Sequence, residues 1–463
     1  MSFDFETYLS PLTWRYGSAE MRQLWSEAHK RRLWRRMWVT LAEVQAEFGL
    51  INPELVKELR RQTEAVNMTR ALEIEAEIHH DLMAELQVFA EQSDSAGGVL
   101  HLGATSVDIE DNTDALRIRD TLELVLTRLR QLLESFCEQI ERWAETPVIA
   151  FTHLQPAEPS TLGYRLACYA QDLHLDWQNL TQARAEFRGK GFKGAVGSRA
   201  SFAELLGEEN LEAFEAHLSK RLGLPFYPIT TQTYPRGQEF RLLSALAGLG
   251  ASLYKFAFDL RVLQSPPVGE LSEPFGASQV GSSAMPFKRN PINAEKINSL
   301  ARLLAQMPRT AWDNAAHSLL ERTLDDSANR RSLLPEAFLI TDELLHVTHR
   351  IIKGLRVDEK ALKRNLAIYG PFAATERLLM RLVKMGADRQ VMHTRLREHA
   401  LAAWQAVGEG QANPLGESVS RDPELLRYLD QEQIGAAMQS DQYTGDASKR
   451  AIRLVADIRS SFG

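Results

Sequence analysis

Apolar residues recur every three or four positions along several long stretches of the chain. Between Asp111 and Glu145 the stripe is Ile118, Leu122, Val125, Leu129, Leu132, Phe136, Ile140 and Trp143, with no Pro or Gly inside it, which predicts one amphipathic helix. At the helical rise per residue it would reach about 50 Å. A second pattern runs from about Pro159 to Arg188, with Pro159 suited to the first helical turn. A third, from Gln238 to Gln264, carries Phe240, Leu243, Leu246, Leu249, Leu253, Phe256, Leu260 and Leu263 on one face; a fourth starts near Pro291, and a fifth covers Pro335 to Leu355. Long helices with matched stripes predict an all-α chain built around an elongated central bundle. Their apolar area exceeds what one small domain can bury, so a homo-oligomer is expected.

Around the bundle the pattern changes. The first part has shorter helical segments, broken at Gly17, Gly49–Pro53 and Gly97-Gly98. Beyond Val357 the segments shorten again, with a break at Gly370-Pro371 and loops at Gly408–Gly416 and Gly445. Three helical domains are therefore predicted, at residues 1–105, 106–357 and 358–463. Alternating strand patterns are scarce.

Composition narrows the choice of function. The chain has 463 residues, 44% of them hydrophobic, and 54 Lys+Arg against 61 Asp+Glu give a formal charge of −7. This is globular composition. It argues against a general nucleic-acid surface and leaves room only for a local cationic pocket. Cys137 and Cys168 lie inside apolar helical patterns and are expected as buried, reduced thiols. No secretory signal is visible at Met1–Glu6, and no apolar run approaches the ~20 residues of a membrane span. A cytoplasmic protein is expected, with no membrane partner.

Three motifs have bland explanations. Gly189-Lys190-Gly191-Phe192-Lys193-Gly194 fits G-x-G-x-x-G, but a helix pattern precedes it instead of a strand, so a flexible loop is expected. His79-His80-Asp81 lacks metal-ligand spacing and is read as a helix end or the wall of a polar site. His29–Arg36 is read as an amphipathic helix with a solvated basic face and Trp34 and Trp38 packed inward.

The informative segment is Gln279–Glu295, a Gly-Ser-Ser turn followed by Met285-Pro286-Phe287-Lys288-Arg289-Asn290-Pro291 and then a helix start. A helix N-terminus favours anions, and Lys288 adds a cation. Two more turns bracket the first long helix: Thr105-Ser106 before it and Thr152-His153 after it. Glu321–Arg331 concentrates Arg322, Arg330 and Arg331 among acids, either a solvated salt-bridge segment or an anion clamp.

These segments, in this chain order, resemble the conserved regions of the fumarase/aspartase superfamily. Arg15-Tyr16 and Glu321–Arg331 are similar to its adenylosuccinate lyase family, in the animal-like branch. The resemblance implies β-elimination of fumarate from adenylosuccinate, giving AMP, and from succinyl-aminoimidazole-carboxamide ribotide in purine nucleotide biosynthesis. It implies homotetramers with active sites shared between subunits, small-molecule nucleotide substrates, and neither metal nor other cofactor. It makes Ser282 the general base, carried on a closing loop, and His153 the general acid that protonates the departing purine amino nitrogen. Lys288 would stabilise the doubly charged carboxylate, and His80 and Glu295 would orient or tune the centre. Arg15, Tyr16, Arg322, Ser327 and Arg331 would hold the phosphate. Thr105, Ser106 and Gln232 would hydrogen-bond the succinyl group. His79, Asp81, Asn290 and Lys296 complete the expected binding set; His79 and Lys296 stand where relatives often carry Arg. The rival readings are argininosuccinate lyase, aspartase or fumarase within the superfamily, and a non-catalytic helical scaffold outside it.

Overall fold

The structure is a computed structural model that describes residues 4–276 and 278–462. Its principal helices are α1 (Glu27–Glu47), α2 (Met68–Ile78), α3 (Asp81–Gln92), α4 (Ser106–Arg142), α5 (Leu162–Glu186), α6 (Gly237–Leu263), α7 (Ile292–Leu304), α8 (Ser327–Lys353) and α9 (Glu359–Lys384). Among the described residues the named strands form two antiparallel pairs, β1 (Pro147–Thr152) with β2 (Gln155–Thr161) and β3 (Leu271–Ser272) with β4 (Arg356–Val357). The all-α expectation holds. No helix of the described residues is long and apolar enough to cross a membrane.

The stripes form as the periodicity requires. On α4, 37 residues long, Ile118, Leu122, Val125, Leu129, Leu132, Phe136 and Ile140 are all 0% exposed. Each such side chain contributes roughly 1.5–3 kcal/mol when withdrawn from water. On α6 the stripe from Leu243 to Leu263 is likewise buried.

Prolines account for the main departures from the predicted helices. Pro159 does not open a helix: it pairs with Ile149 across the β1–β2 hairpin, and α5 begins at Leu162. Two prolines, Pro156 and Pro159, disfavour helix here, and a strand at a sheet edge tolerates a missing N–H. Conversely, Pro335 and Pro371 lie inside α8 and α9. The break expected at Gly370-Pro371 is absent; a Cβ on Gly370 would collide with the Ser440 side chain, so glycine there permits close approach within a continuous helix. Cys168, expected to be buried, is exposed, whereas Cys137 is buried and both are free thiols.

The chain divides into two compact units. The first comprises Met1–Leu129, Asp176–Ala251 and Ser299–His346, and the second Arg130–Leu175, Ser252–Asn298 and Val347–Gly463. In the first, α1 buries Trp34 and Trp38 as expected, but its basic face is not simply solvated. Lys30, Arg31 and Arg35 are buried too, and Glu85, itself fully buried, accepts from Arg35 Nε at 2.6 Å and from Arg31 Nη1 at 3.2 Å. Arg31 also pairs with Glu75 at 3.1 Å, so two carboxylates balance the two buried guanidinium groups. In the second unit, α9 packs over a core that includes Leu378, Leu382, Leu396, Val419 and Ile434.

Candidate active site

In the first unit the polar site residues gather around a cavity of about 100 Å³ whose walls include Asp81, Glu110, Arg322, Ser327 and Arg331. Local structure explains how they arrive there. Helix α2 ends at His79, held at φ 55°, and this left-handed turn makes His80 the N-cap of α3, where its side chain accepts from Met83 N. His80 Nε2 lies 3.4 Å from Ser106 Oγ, the first residue of α4. Asp81 opens α3 and pairs with Arg331 at 2.9 Å. Burial alone would raise the Asp81 pKa, but Arg331 and Lys30 outweigh it and hold the carboxyl below its ordinary range. Arg322 donates to Asp326 at 2.8 Å, and the Gln232 backbone N–H donates to the Glu321 carbonyl at 3.1 Å. The Glu321–Arg331 segment is therefore ion-paired, and its three arginines, Arg322, Arg330 and Arg331, still face the cavity.

The Thr105-Ser106 turn is fixed from behind by residues that the sequence pattern did not single out. Asp108, 0% exposed, accepts from Thr105 N at 2.9 Å and from Gly194 N at 3.1 Å through Oδ2, and from Lys193 N at 3.0 Å through Oδ1. Its Oδ1 also pairs with the buried Lys190 ammonium. Asn112 adds reciprocal hydrogen bonds to Gly191. Gly189–Gly194 is thus no flexible loop but a buried anchor for the start of α4, which corrects the expectation above. The usable signal was two lysines inside an otherwise apolar and glycine-rich run; a buried lysine demands a carboxylate. Deeper still, Arg236 bridges Asp111 and Asp326, while Arg330 bridges Asp114 and Glu239.

Arg15 and Tyr16 do not line this cavity. Arg15 is exposed with its guanidinium over the Trp14 ring, and the Tyr16 carbonyl accepts from Arg22 at 3.1 Å.

The second unit carries the remaining predicted residues. Ser282, Lys288 and Asn290 share one loop, closed at its base by a hydrogen bond of 3.0 Å from Asn290 Nδ2 to the Gly281 carbonyl. A Cβ on Gly281 would collide with the Lys288 carbonyl, so only glycine allows this closure. Ser282 Oγ accepts from Met285 N at 3.1 Å and from Ala284 N at 3.3 Å. Lys288 projects exposed from the loop. Glu273, buried, accepts from the N–H groups of Asn293 and Ala294 and so caps the start of α7. The anion site expected at that helix end is therefore filled by the protein's own carboxylate. Glu295 is exposed, 3.9 Å from Arg261, and Lys296 is half-buried on the same helix.

His153 and Leu154 form the two-residue turn between β1 and β2, both with positive φ, 54° and 59°. That is the backbone of the tight hairpin turns whose twist matches the strands. It holds the His153 ring out at the tip, exposed and without a hydrogen-bond partner among the described residues.

A helical chain with a Gly-Ser-Ser loop, a separate histidine turn and an arginine-lined cavity fits the lyase class that the resemblance implied, and the family models show that class. Residues 20–304 match the lyase family and residues 371–454 the adenylosuccinate lyase C-terminus family. The fold is that of 3-carboxy-cis,cis-muconate lactonizing enzyme from Pseudomonas putida, with TM-score 0.87 and 24% identity over 98% of this chain and 100% of that one. Fumarate lyase from Mesorhizobium is also similar, with TM-score 0.84, 24% identity, and 95% and 98% of the two chains covered. Adenylosuccinate lyase of Saccharomyces cerevisiae is 36% identical over 461 residues, spanning 98% of this chain and 95% of the relative. That of Schistosoma mansoni is 38% identical over 90% of this chain and 88% of its own length. The chain belongs to the adenylosuccinate lyase family, a family of carbon–nitrogen lyases.

Proposed function

We infer that the protein cleaves adenylosuccinate into AMP and fumarate, and splits succinyl-aminoimidazole-carboxamide ribotide by the same β-elimination. The observation that carries this reading is the likeness to adenylosuccinate lyases along nearly the whole chain. The cavity supplies matching chemistry: Arg322, Arg331 and Ser327 offer planar forks and a hydroxyl to a phosphate. Thr105, Ser106 and Gln232 stand ready for the succinyl carboxylates.

The acidic proton sits on carbon beside a carboxylate, and its removal builds a second negative charge there. Lys288 is the cation assigned to that charge, and one such preorganised donor supplies roughly 3–4 kcal/mol. Ser282 takes the proton. An ordinary serine is a poor base, but two N–H groups already donate to its Oγ, which favours the negatively charged oxygen. His153 gives a proton to the departing 6-amino nitrogen, a task suited to imidazole near neutral pH. His80, hydrogen-bonded toward Ser106, keeps the succinyl side in register. In this proposal the enzyme is a cytoplasmic homotetramer whose active sites are completed by residues of neighbouring subunits.

Purified protein mixed with adenylosuccinate and followed by ultraviolet absorbance tests the reading. Conversion to equal amounts of AMP and fumarate is expected. No change with adenylosuccinate together with turnover of argininosuccinate would overturn it.

A further inference from the structure

The cavity holds one carboxyl that the reaction does not use. Glu110 sits on α4, one helical turn beyond Ser106 and one before Asp114, so the three share a face of that helix. It is half-buried on the cavity wall. Every other acid on that wall has a cation. Glu27 pairs with Lys30, Asp81 with Arg331, Asp111 with Arg236, and Asp114 with Arg330 and Arg117. Arg322, the remaining cation there, is held by Asp326. Glu110 has neither ion pair nor hydrogen bond among the described residues.

The charges already on the wall are thus nearly matched before any ligand enters. A nucleotide phosphate brings almost two negative charges toward Arg322 and Arg331. An ionised Glu110 beside it would be an uncompensated like charge in a half-dry cavity. A neutral one would instead add a donor.

We propose that Glu110 is a further nucleotide-recognition residue: its protonated carboxyl donates a hydrogen bond to a phosphate oxygen of the bound nucleotide, so that the pocket takes up a proton with its ligand. This rests on the adenylosuccinate lyase reading and deepens it. The proton balance is simple. The free carboxylate gains one proton from solvent, the O–H then points to the phosphate, and no covalent bond of the ligand changes. Its environment is poised for this. Burial first, and then Asp81, Asp111 and Asp114, push the Glu110 pKa up to about 7, with Arg331 opposing. Near neutral pH both forms are populated, and an incoming phosphate selects the neutral one.

Calorimetry of AMP binding to the intact protein at pH 7.5, in two buffers of different ionisation heat, tests the idea. At that pH the phosphate, with its second pKa near 6, is almost wholly dianionic and has few protons to exchange. Wild type is expected to take up roughly three-quarters of a proton per AMP, the ionised fraction at pH 7.5 of a group at about 7. Glu110→Gln, which keeps the shape and a donor, is expected to take up none. Its KM for adenylosuccinate should also lack the rise of about tenfold between pH 6 and 8 that titration of the wild-type carboxyl imposes. Proton release or no exchange by the wild type overturns the proposal, and so does equal uptake by Glu110→Gln. Because the wild-type measurement stands alone, a misfolded variant does not decide the matter. Failure of the wild type to bind AMP at all overturns the nucleotide reading, and this inference with it.

Discussion

The cavity in the first unit and the loop and hairpin in the second are built on opposite terms. Around the cavity the side chains proposed to bind substrate are held: Arg322 by Asp326, Arg331 by Asp81, the Thr105-Ser106 turn by Asp108 and the buried Gly189–Gly194 run. In the second unit Lys288 and His153 project into solvent from a loop and a hairpin tip, and the Ser282 loop is held by hydrogen bonds of its own at the base and at Ser282. The difference shows where each region carries its precision. Groups that bind a large anionic substrate gain from being fixed beforehand, because ordering them later would weaken binding. Groups that move protons must meet the substrate in a closed site, so their positions in the free chain need not be final.

The largest effects should come from the second region. Ser282→Ala is expected to lose about 10²- to 10⁴-fold in kcat, the usual contribution of general acid–base catalysis, while circular dichroism stays unchanged. A loss smaller than tenfold would remove Ser282 from the proton transfer. Asp108→Ala should act instead on the fold. Leaving Lys190 buried and uncompensated costs about 3–5 kcal/mol, measurable as a lowered urea midpoint. A change within error would show that the Gly189–Gly194 anchor is not under load.

Smaller effects sharpen the contrast. Arg331→Ala should weaken AMP binding about 10- to 100-fold through lost charged hydrogen bonds, read by calorimetry. The same variant changes acid stability. The Asp81 pKa is depressed in the folded state, so its contribution is present above the unfolded carboxylate pKa and is lost as pH falls through the folded value. Without Arg331 the depression is relieved, so the share of acid destabilisation that Asp81 contributes should shrink, read as a shallower fall of unfolding free energy with falling pH. The mildest change is Leu154→Gly at the hairpin tip. With φ at 59° and a side chain 73% exposed, Leu154 gives up strain and few contacts. A gain of about 1 kcal/mol or less is expected in thermal unfolding.

The long helices were legible because burial on one face repeats with the helix, as the seven wholly buried stripe residues of α4 show. The signature loop was legible because Gly281 and Pro286 exclude regular structure around Ser282. The β1–β2 hairpin was not. Val148 and Ile149 are neighbours and both fully buried, so the strand lacks simple alternation, and its turn uses His153 and Leu154 in a conformation usually left to glycine or asparagine. The identity of the carboxylate that meets Lys190, Asp108, and the unpaired state of Glu110 were also out of reach. What matters there is contact across 82 positions of chain, or the lack of any partner, and periodicity carries neither.

The most direct test of the division between a prepared pocket and a separate acid–base pair is the affinity of Ser282→Ala for AMP, measured by calorimetry beside its turnover. Binding within about twofold of wild type, with turnover lost, is the result this account predicts, since the serine acts only in the transition state. AMP binding that collapses along with turnover would contradict it.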